Sequence, residues 1–264
     1  MRAVGLDPSP ARGAHVCDGG GAPRLLSVQA MSSFLADLPE DVLIGYDGPL
    51  SGPVAPDEPV LRQADLSRRV IEAFFKSPED GFALPASIPL SGYATLPHWP
   101  LTRRMFGLPR LGPLDRPTEE LPFAPLLEAD GAPTAGRHVV EVNAQVAIWL
   151  VALEDPAFGG INWGYRDRPD VMKAIWRIVV ERLTGRSSLE LADFWKLPPP
   201  DNMNQFEAII AWLLVALWRG APEQVELLGG AGTGSWLVPK VAGLKEAFAK
   251  FAERELARRM AAPA

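Results

Sequence analysis

The sequence predicts an α/β fold: a mixed five-stranded sheet in β-β-β-α-β-α-β-α order, with helices on both faces and a proline-rich insertion. Three observations carry this expectation. Two continuous apolar runs, Ala3-Val4-Gly5-Leu6 and Val42-Leu43-Ile44-Gly45-Tyr46, each end on a carboxylate, Asp7 and Asp47, and then on turn residues. Runs of that length and bounding read as strands buried on both faces. Longer stretches further on place apolar residues at helical spacing. Between them, from Ser77 to Arg137, prolines recur too often for long helices or central strands.

Taken in order, Ala3–Asp7 is the first expected strand, and the prolines Pro8 and Pro10 are expected to end it. Ala14–Cys17 and Arg24–Val28 follow as strands joined through Gly19-Gly20-Gly21, completing an antiparallel meander. Met31–Leu38 is a short helix with Ser32 or Ser33 as its cap. Val42–Asp47 is the fourth strand, and Leu61–Phe75 a helix with Arg62, Arg68 and Arg69 off its apolar side. The stretch 77–137 reads as an ordered insertion lying over one side of the sheet, because its aromatic residues (Phe82, Tyr93, Trp99, Phe106, Phe123) give it something to bury.

Arg137–Val142 is the fifth strand and carries Glu141. Helices are expected at Asn143–Leu153, Pro169–Leu183 and Leu189–Trp195, and from Asp201 as cap to about Trp218. Trp236-Leu237-Val238 is a last extended segment, and Ala242–Met260 a closing amphipathic helix. Residues 1–264 are expected to make one domain.

Composition narrows the function. Of 264 residues 47% are apolar, enough for a packed core, and the formal net charge is −6, which disfavours broad electrostatic binding to nucleic acid or anionic membrane. One cysteine, Cys17, excludes an internal disulfide and a cysteine-based zinc cluster and suggests a reducing compartment. The start of the chain shows no leader pattern, and the apolar segment Ala208–Trp218 is too short to span a bilayer. The expectation is a soluble, cytoplasmic protein with no membrane partner.

The candidate chemistry lies in acids at the ends of apolar elements: Asp7, Asp47, Glu141 and Glu207. In open α/β sheets ligands bind beyond the carboxyl ends of the strands. Gathered carboxylates repel one another, and a divalent cation relieves the repulsion. Oxygen ligands without Cys or His suit Mg²⁺ or Mn²⁺, and a pair of such ions clamps both reacting oxygens of a phosphodiester. Each acid also has a plainer role: Asp7 and Asp47 as turn formers, Glu141 as an exposed strand residue, Glu207 as a first-turn acid on its helix. The small Ala208 and Ala211 let that helix lie close to the sheet. His15, His98 and His138 lack metal-ligand spacing. Gly229–Gly234 has no Lys-Ser/Thr pair after it and reads as a flexible connector. Local nucleic-acid contacts could come from Arg103, Arg104, Arg110, Arg166 and Arg168, with Trp163 and Tyr165 to stack bases, although charges on solvated loops need no partner.

The β-β-β-α-β-α-β-α order is similar to the ribonuclease H-like arrangement, an analogy at the level of fold. More specifically, the chain resembles domain-of-unknown-function family 429, a group of predicted nucleases in the ribonuclease H-like superfamily. The matching pieces are Val4-Gly5-Leu6-Asp7, Ile44-Gly45-Tyr46-Asp47-Gly48-Pro49-Leu50, Val140-Glu141-Val142, Glu207-Ala208 and Trp236-Leu237-Val238-Pro239, in the family's order. The family pattern has an aromatic and a proline after its glutamate where this chain has Asn143-Ala144, and an Asp where it has Glu207. The resemblance implies a two-metal nuclease using Asp7, Asp47, Glu141 and Glu207. The rival expectations are a catalytically degenerate binding scaffold of the same fold and an actin-like phosphotransferase. The latter would place a glycine-rich hairpin where Pro8-Ser9-Pro10 stands.

Overall fold

The structure is a computed structural model. It describes residues 1–9, 12–51, 69–85, 88, 90, 102, 105–107, 122–153, 168–185, 197–230 and 232–261. At its centre is β1 (Arg2–Ser9), buried along most of its length. It pairs antiparallel with β2 (Gly13–Cys17), which pairs antiparallel with β3 (Arg24–Leu26). On its other side β1 pairs parallel with β4 (Val42–Tyr46). Next come β6 (Arg137–Glu141) and β5 (Ala124–Leu126), both parallel, so the sheet runs β3-β2-β1-β4-β6-β5.

The sheet therefore has six strands, where five were expected. The additional β5 falls inside the proline-rich stretch and carries Pro125, which a strand tolerates at a sheet edge because one side needs no donor. The same reasoning explains why Pro8 fails to end β1. Pairing with β4 stops at Leu6↔Tyr46, and beyond it Pro8 and Ser9 have only β2 as a neighbour.

Strand alternation sorts the side chains into two cores. Val4, Leu6, Val42, Ile44, Tyr46 and Val139 face α1 (Val28–Ala36), whose Met31 and Leu35 share that core with Phe106 and Phe123. Met105, Phe106 and Phe123 of the insertion thus pack under the sheet, with Tyr46 and Phe106 edge to face at 4.9 Å, whereas its Phe82, Leu84, Ile88 and Leu90 join a separate core. Ala3, Leu43, Val140 and Val142 face the opposite way, towards α3 (Ala144–Leu153), α4 (Pro169–Gly185) and α5 (Met203–Gly220). Between α3 and the end of the chain lies a third core, built from α2 (Val70–Phe74), the hairpin β7–β8 (Val225–Gly230, Gly234–Pro239) and α6 (Leu244–Ala261). Apolar except for Gln145, α3 is buried between the core on the α5 face of the sheet and this one.

Several local expectations are corrected. Ser27, not Ser32 or Ser33, caps α1, its Oγ accepting from Ala30 N at 3.2 Å. Asn202, not Asp201, caps α5, its Oδ1 accepting from Gln205 N at 3.0 Å. Trp236–Val238 belongs to the separate hairpin, and in the glycine run expected as a loose connector Gly229 and Gly230 pair with Ser235 and Gly234 at the end of that hairpin. Of the helix expected over Leu61–Phe75 only the end is described, as α2, and Leu189–Trp195 lies outside the described residues. No helix among the described residues is long and apolar enough to cross a membrane.

The contact that sets the layout is between α5 and the two central strands. A Cβ on Gly5 would lie 2.1 Å from Ala208 O and 2.2 Å from Trp212 N, and one on Gly45 would lie 2.4 Å from Ala211 O. Helix backbone thus rests directly on strand backbone, and neither side can yield by a rotamer change. Gly5→Ala or Gly45→Ala is expected to destabilise the fold by about 3 kcal/mol through overpacking. Urea unfolding checks this, and a cost under about 0.5 kcal/mol, the range of an ordinary surface substitution, would contradict it.

Candidate metal centre

Register and alternation bring Asp7 and Asp47 together. Gly5 and Gly45 are partners across β1 and β4, and so are Leu6 and Tyr46. Asp47 N donates to Leu6 O at 2.8 Å, continuing the pairing one step further. Asp7 and Asp47, two residues beyond their glycines, therefore project to the same face as those glycines, the face that α5 covers. Glu207 is the fifth residue of α5, one position before the Ala208 that sits on Gly5. The close approach permitted by the two glycines lets its carboxylate reach the strand ends.

One carboxylate oxygen from each of Asp7, Asp47 and Glu207 lies within 4.8 Å of the other two. Asp7 and Glu207 are buried and Asp47 is half-buried. Asp47 Oδ1 accepts from Ala144 N at 3.3 Å, and Glu207 Oε1 accepts from Gln145 Nε2 at 3.0 Å. Both donors come from the first turn of α3. His15, the cross-strand partner of Asp7, is pushed below the ordinary imidazole pKa by burial and then by Arg12, and is neutral at pH 7. Glu207 is not in the first turn of α5, so its expected plainer role as a dipole-complementing acid does not describe it.

The structure does not bring Glu141 into this group, and the reason is parity. Glu141 is the partner of Tyr46, not of Asp47, so it points to the opposite face. There its carboxylate meets a buried arginine, Arg69, which the sequence pattern places off the apolar side of a helix. Arg69 donates from Nη1 to Glu141 Oε2 at 2.9 Å and from Nη2 to Glu141 Oε1 at 2.6 Å. It also donates from Nε to Glu72 Oε1 at 2.8 Å, from Nη2 to the same oxygen, and from Nη1 to Ser51 O at 2.8 Å. Trp236 Nε1 and Leu50 N complete the shell of Glu141, at 2.6 and 2.9 Å. Arg69, Glu72 and Glu141 are all essentially inaccessible.

Burial opposes the charge of Arg69, but the Glu141 and Glu72 carboxylates outweigh it and raise its pKa, so it stays cationic. For Glu72 burial wins, and its pKa is raised against the pull of Arg69. Tyr46 lies between the two acidic groups: burial first, then Asp7, Asp47 and Glu141, push its phenol up, against the 2.7 Å hydrogen bond with Thr102, and keep it neutral.

The remaining candidates separate cleanly. His138 Nε2 lies 2.8 Å from Ala135 O, a local contact. Cys17 is buried and its thiol is pushed up to about 12 by that burial, so it is not a reactive thiolate at neutral pH. Arg168 is exposed, 3.7 Å from Asp170. His98, Arg103, Arg104, Arg110, Trp163, Tyr165 and Arg166 lie outside the described residues. Sequence reasoning missed Arg69 and Gln145. The start of a helix next to a strand end was the available signal for Gln145; nothing in the pattern around Arg69 marks it as buried.

No family model, curated protein or solved structure matches the chain. The site has to be read from its own geometry.

Removing the arginine tests the second network. Arg69→Met leaves Glu72 and Glu141 buried without their cation and is expected to cost about 4 kcal/mol in urea unfolding. A loss under about 1 kcal/mol, the worth of a surface ion pair, would show that Arg69 does not hold this part of the fold together.

Proposed function

We propose that the chain is a divalent-cation-dependent phosphodiester hydrolase of ribonuclease H-like fold, in which Asp7, Asp47 and Glu207 hold Mg²⁺ or Mn²⁺. The observation that carries this reading is the convergence of those three carboxylates within 4.8 Å at the ends of two adjacent parallel strands. The run β3-β2-β1-β4-β6 supports the fold assignment, with β5 added outside it. The resemblance to domain-of-unknown-function family 429 read in the sequence implies the same activity, though no family model matches the chain. The role expected for Glu141 is dropped from the proposal, because Arg69, Trp236 and Leu50 already occupy its oxygens.

The donor set fits the ion. Three hard carboxylate oxygens, with no thiolate or imidazole among them, match Mg²⁺ or Mn²⁺. Ligands on opposite sides of one Mg²⁺ are about 4.2 Å apart, twice its bond length. A span bounded by 4.8 Å suits one ion after a small side-chain adjustment, or a pair about 3.5–4 Å apart bridged by a shared carboxylate. Bound there, the cation supplies Lewis-acid polarisation of a phosphodiester and activation of water.

The chain's own residues would do the rest. Asp7 is held by the strand ladder, and so fixes one ligand position. Asp47, half-buried, stands at the accessible side, where substrate would enter. Glu207 closes the set from the helix. The net charge of −6 confines nucleic-acid contact to local groups, so recognition would depend on the phosphodiester at the site more than on a broad basic surface.

One observation favours a second reading. Ala144 and Gln145 already donate to two of the carboxylates, as they would in a scaffold that keeps the fold without the chemistry. Turnover separates the two. With Mn²⁺ present, wild-type protein is expected to cleave an RNA, DNA or branched substrate, and EDTA to stop it. Asp7→Asn should weaken Mn²⁺ binding at least about 100-fold, the upper end of the loss seen for a perturbed metal shell. Glu141→Gln, once shown to be folded, should bind Mn²⁺ like wild type. Unchanged Mn²⁺ affinity in Asp7→Asn would remove the proposal. Binding without cleavage on any substrate would leave the scaffold.

A further inference from the structure

We infer that Gln145 is a positioning residue for the carboxylate triad, aligning Glu207, with the first turn of α3 as its rigid mount. This rests on the reading of the triad as a cation site. Glu207 reaches the strand ends through one methylene more than an Asp would need, and a longer side chain has more orientations to lose on binding an ion. Gln145 restricts it: the carboxamide Nε2 donates to Glu207 Oε1 at 3.0 Å. One residue earlier, Ala144 N restrains Asp47 Oδ1 in the same way at 3.3 Å.

The mount of these donors is stiff. Asn143 Oδ1 accepts from Val146 N at 3.0 Å, capping α3, while Val142 N donates to Tyr46 O at 2.8 Å and anchors the chain just before it. Beyond that turn, Val146, Trp149 and Leu150 pack towards the hairpin and Ala147, Ile148 and Val151 towards α5. The helix cannot pivot without opening both cores. Donors fixed to such an element hold their ligands to a narrower geometry than donors on a loop.

Because Ala144 acts through its backbone, the side chain of Gln145 is the part that substitution can test. Gln145→Met keeps length and helix propensity and removes the donor. Gln145→Ala removes the side chain and carries the test should Met disturb packing. The measurements are Mn²⁺ affinity by electron paramagnetic resonance, the spectrum of the bound ion, and the melting temperature in EDTA. Both variants are expected to bind Mn²⁺ about tenfold more weakly, the scale on which outer partners of metal ligands act. The bound-ion spectrum should change, and the EDTA melting temperature should stay within about 3 °C of wild type. If wild type binds Mn²⁺ and both variants match it in affinity and spectrum, the positioning role is overturned while the cation site stands. A weakened affinity accompanied by a large fall in EDTA melting temperature in both variants also overturns it, because the side chain would then be supporting the fold. Wild type that fails to bind Mn²⁺ removes the cation site itself, and the inference with it.

Discussion

Backbone resting on backbone governs this molecule. Helix α5 lies on β1 at Gly5 and on β4 at Gly45 with no side chain between them, and the carbonyls of Ala208 and Ala211 occupy the space that two Cβ atoms would need. Close-packed interiors transmit such constraints, because neither surface can relax without dislodging its neighbours. Once the helix is set at that height, Glu207 falls beside the strand-end aspartates. The glycines thus act on the site while contributing no functional group to it.

A second constraint is the two-residue repeat of a strand. It divides the acids at the carboxyl end of the sheet between opposite faces. On one face Asp7 and Asp47 meet Glu207; on the other Glu141 joins Glu72 and Arg69. Arg69 brings a cation into the second group, and Trp236 and Leu50 saturate Glu141 further, so that network ties α2, β6 and the hairpin together. Breaking a buried pair is costly even where forming it gains little, which makes such a network a device for fixing an arrangement. In the first group Ala144 N and Gln145 Nε2, both from the first turn of α3, donate to Asp47 and Glu207.

Much of this was legible in the sequence. Asp7 and Asp47 were readable because each closes an apolar run of the same design, and runs of that design pack side by side. Ala208 and Ala211 were readable as a close-approach face, although their glycine partners were not. Glu141 was misassigned for a definable reason. All three acids end buried elements, but which face a strand residue takes depends on its register with the neighbouring strand, and a one-residue offset reverses it. That offset is a tertiary property with no local signal. Arg69 was illegible for a related reason: the second of two adjacent arginines, Arg68-Arg69, looks solvated until its two carboxylate partners, one from β6, are known. The sixth strand was hidden by Pro125, which composition counts against a strand and an edge position permits.

The central claim is that the carboxylates on the α5 face share a cation and the one on the other face does not. The most direct measurement is a crystal structure of the protein soaked in Mn²⁺, read by anomalous difference density. The account predicts a peak about 2.2 Å from oxygens of Asp7, Asp47 and Glu207, close to the hard-cation bond lengths, with Glu141 still bound to Arg69. A peak at Glu141, or none near Asp7 with Mn²⁺ in large excess, would contradict it.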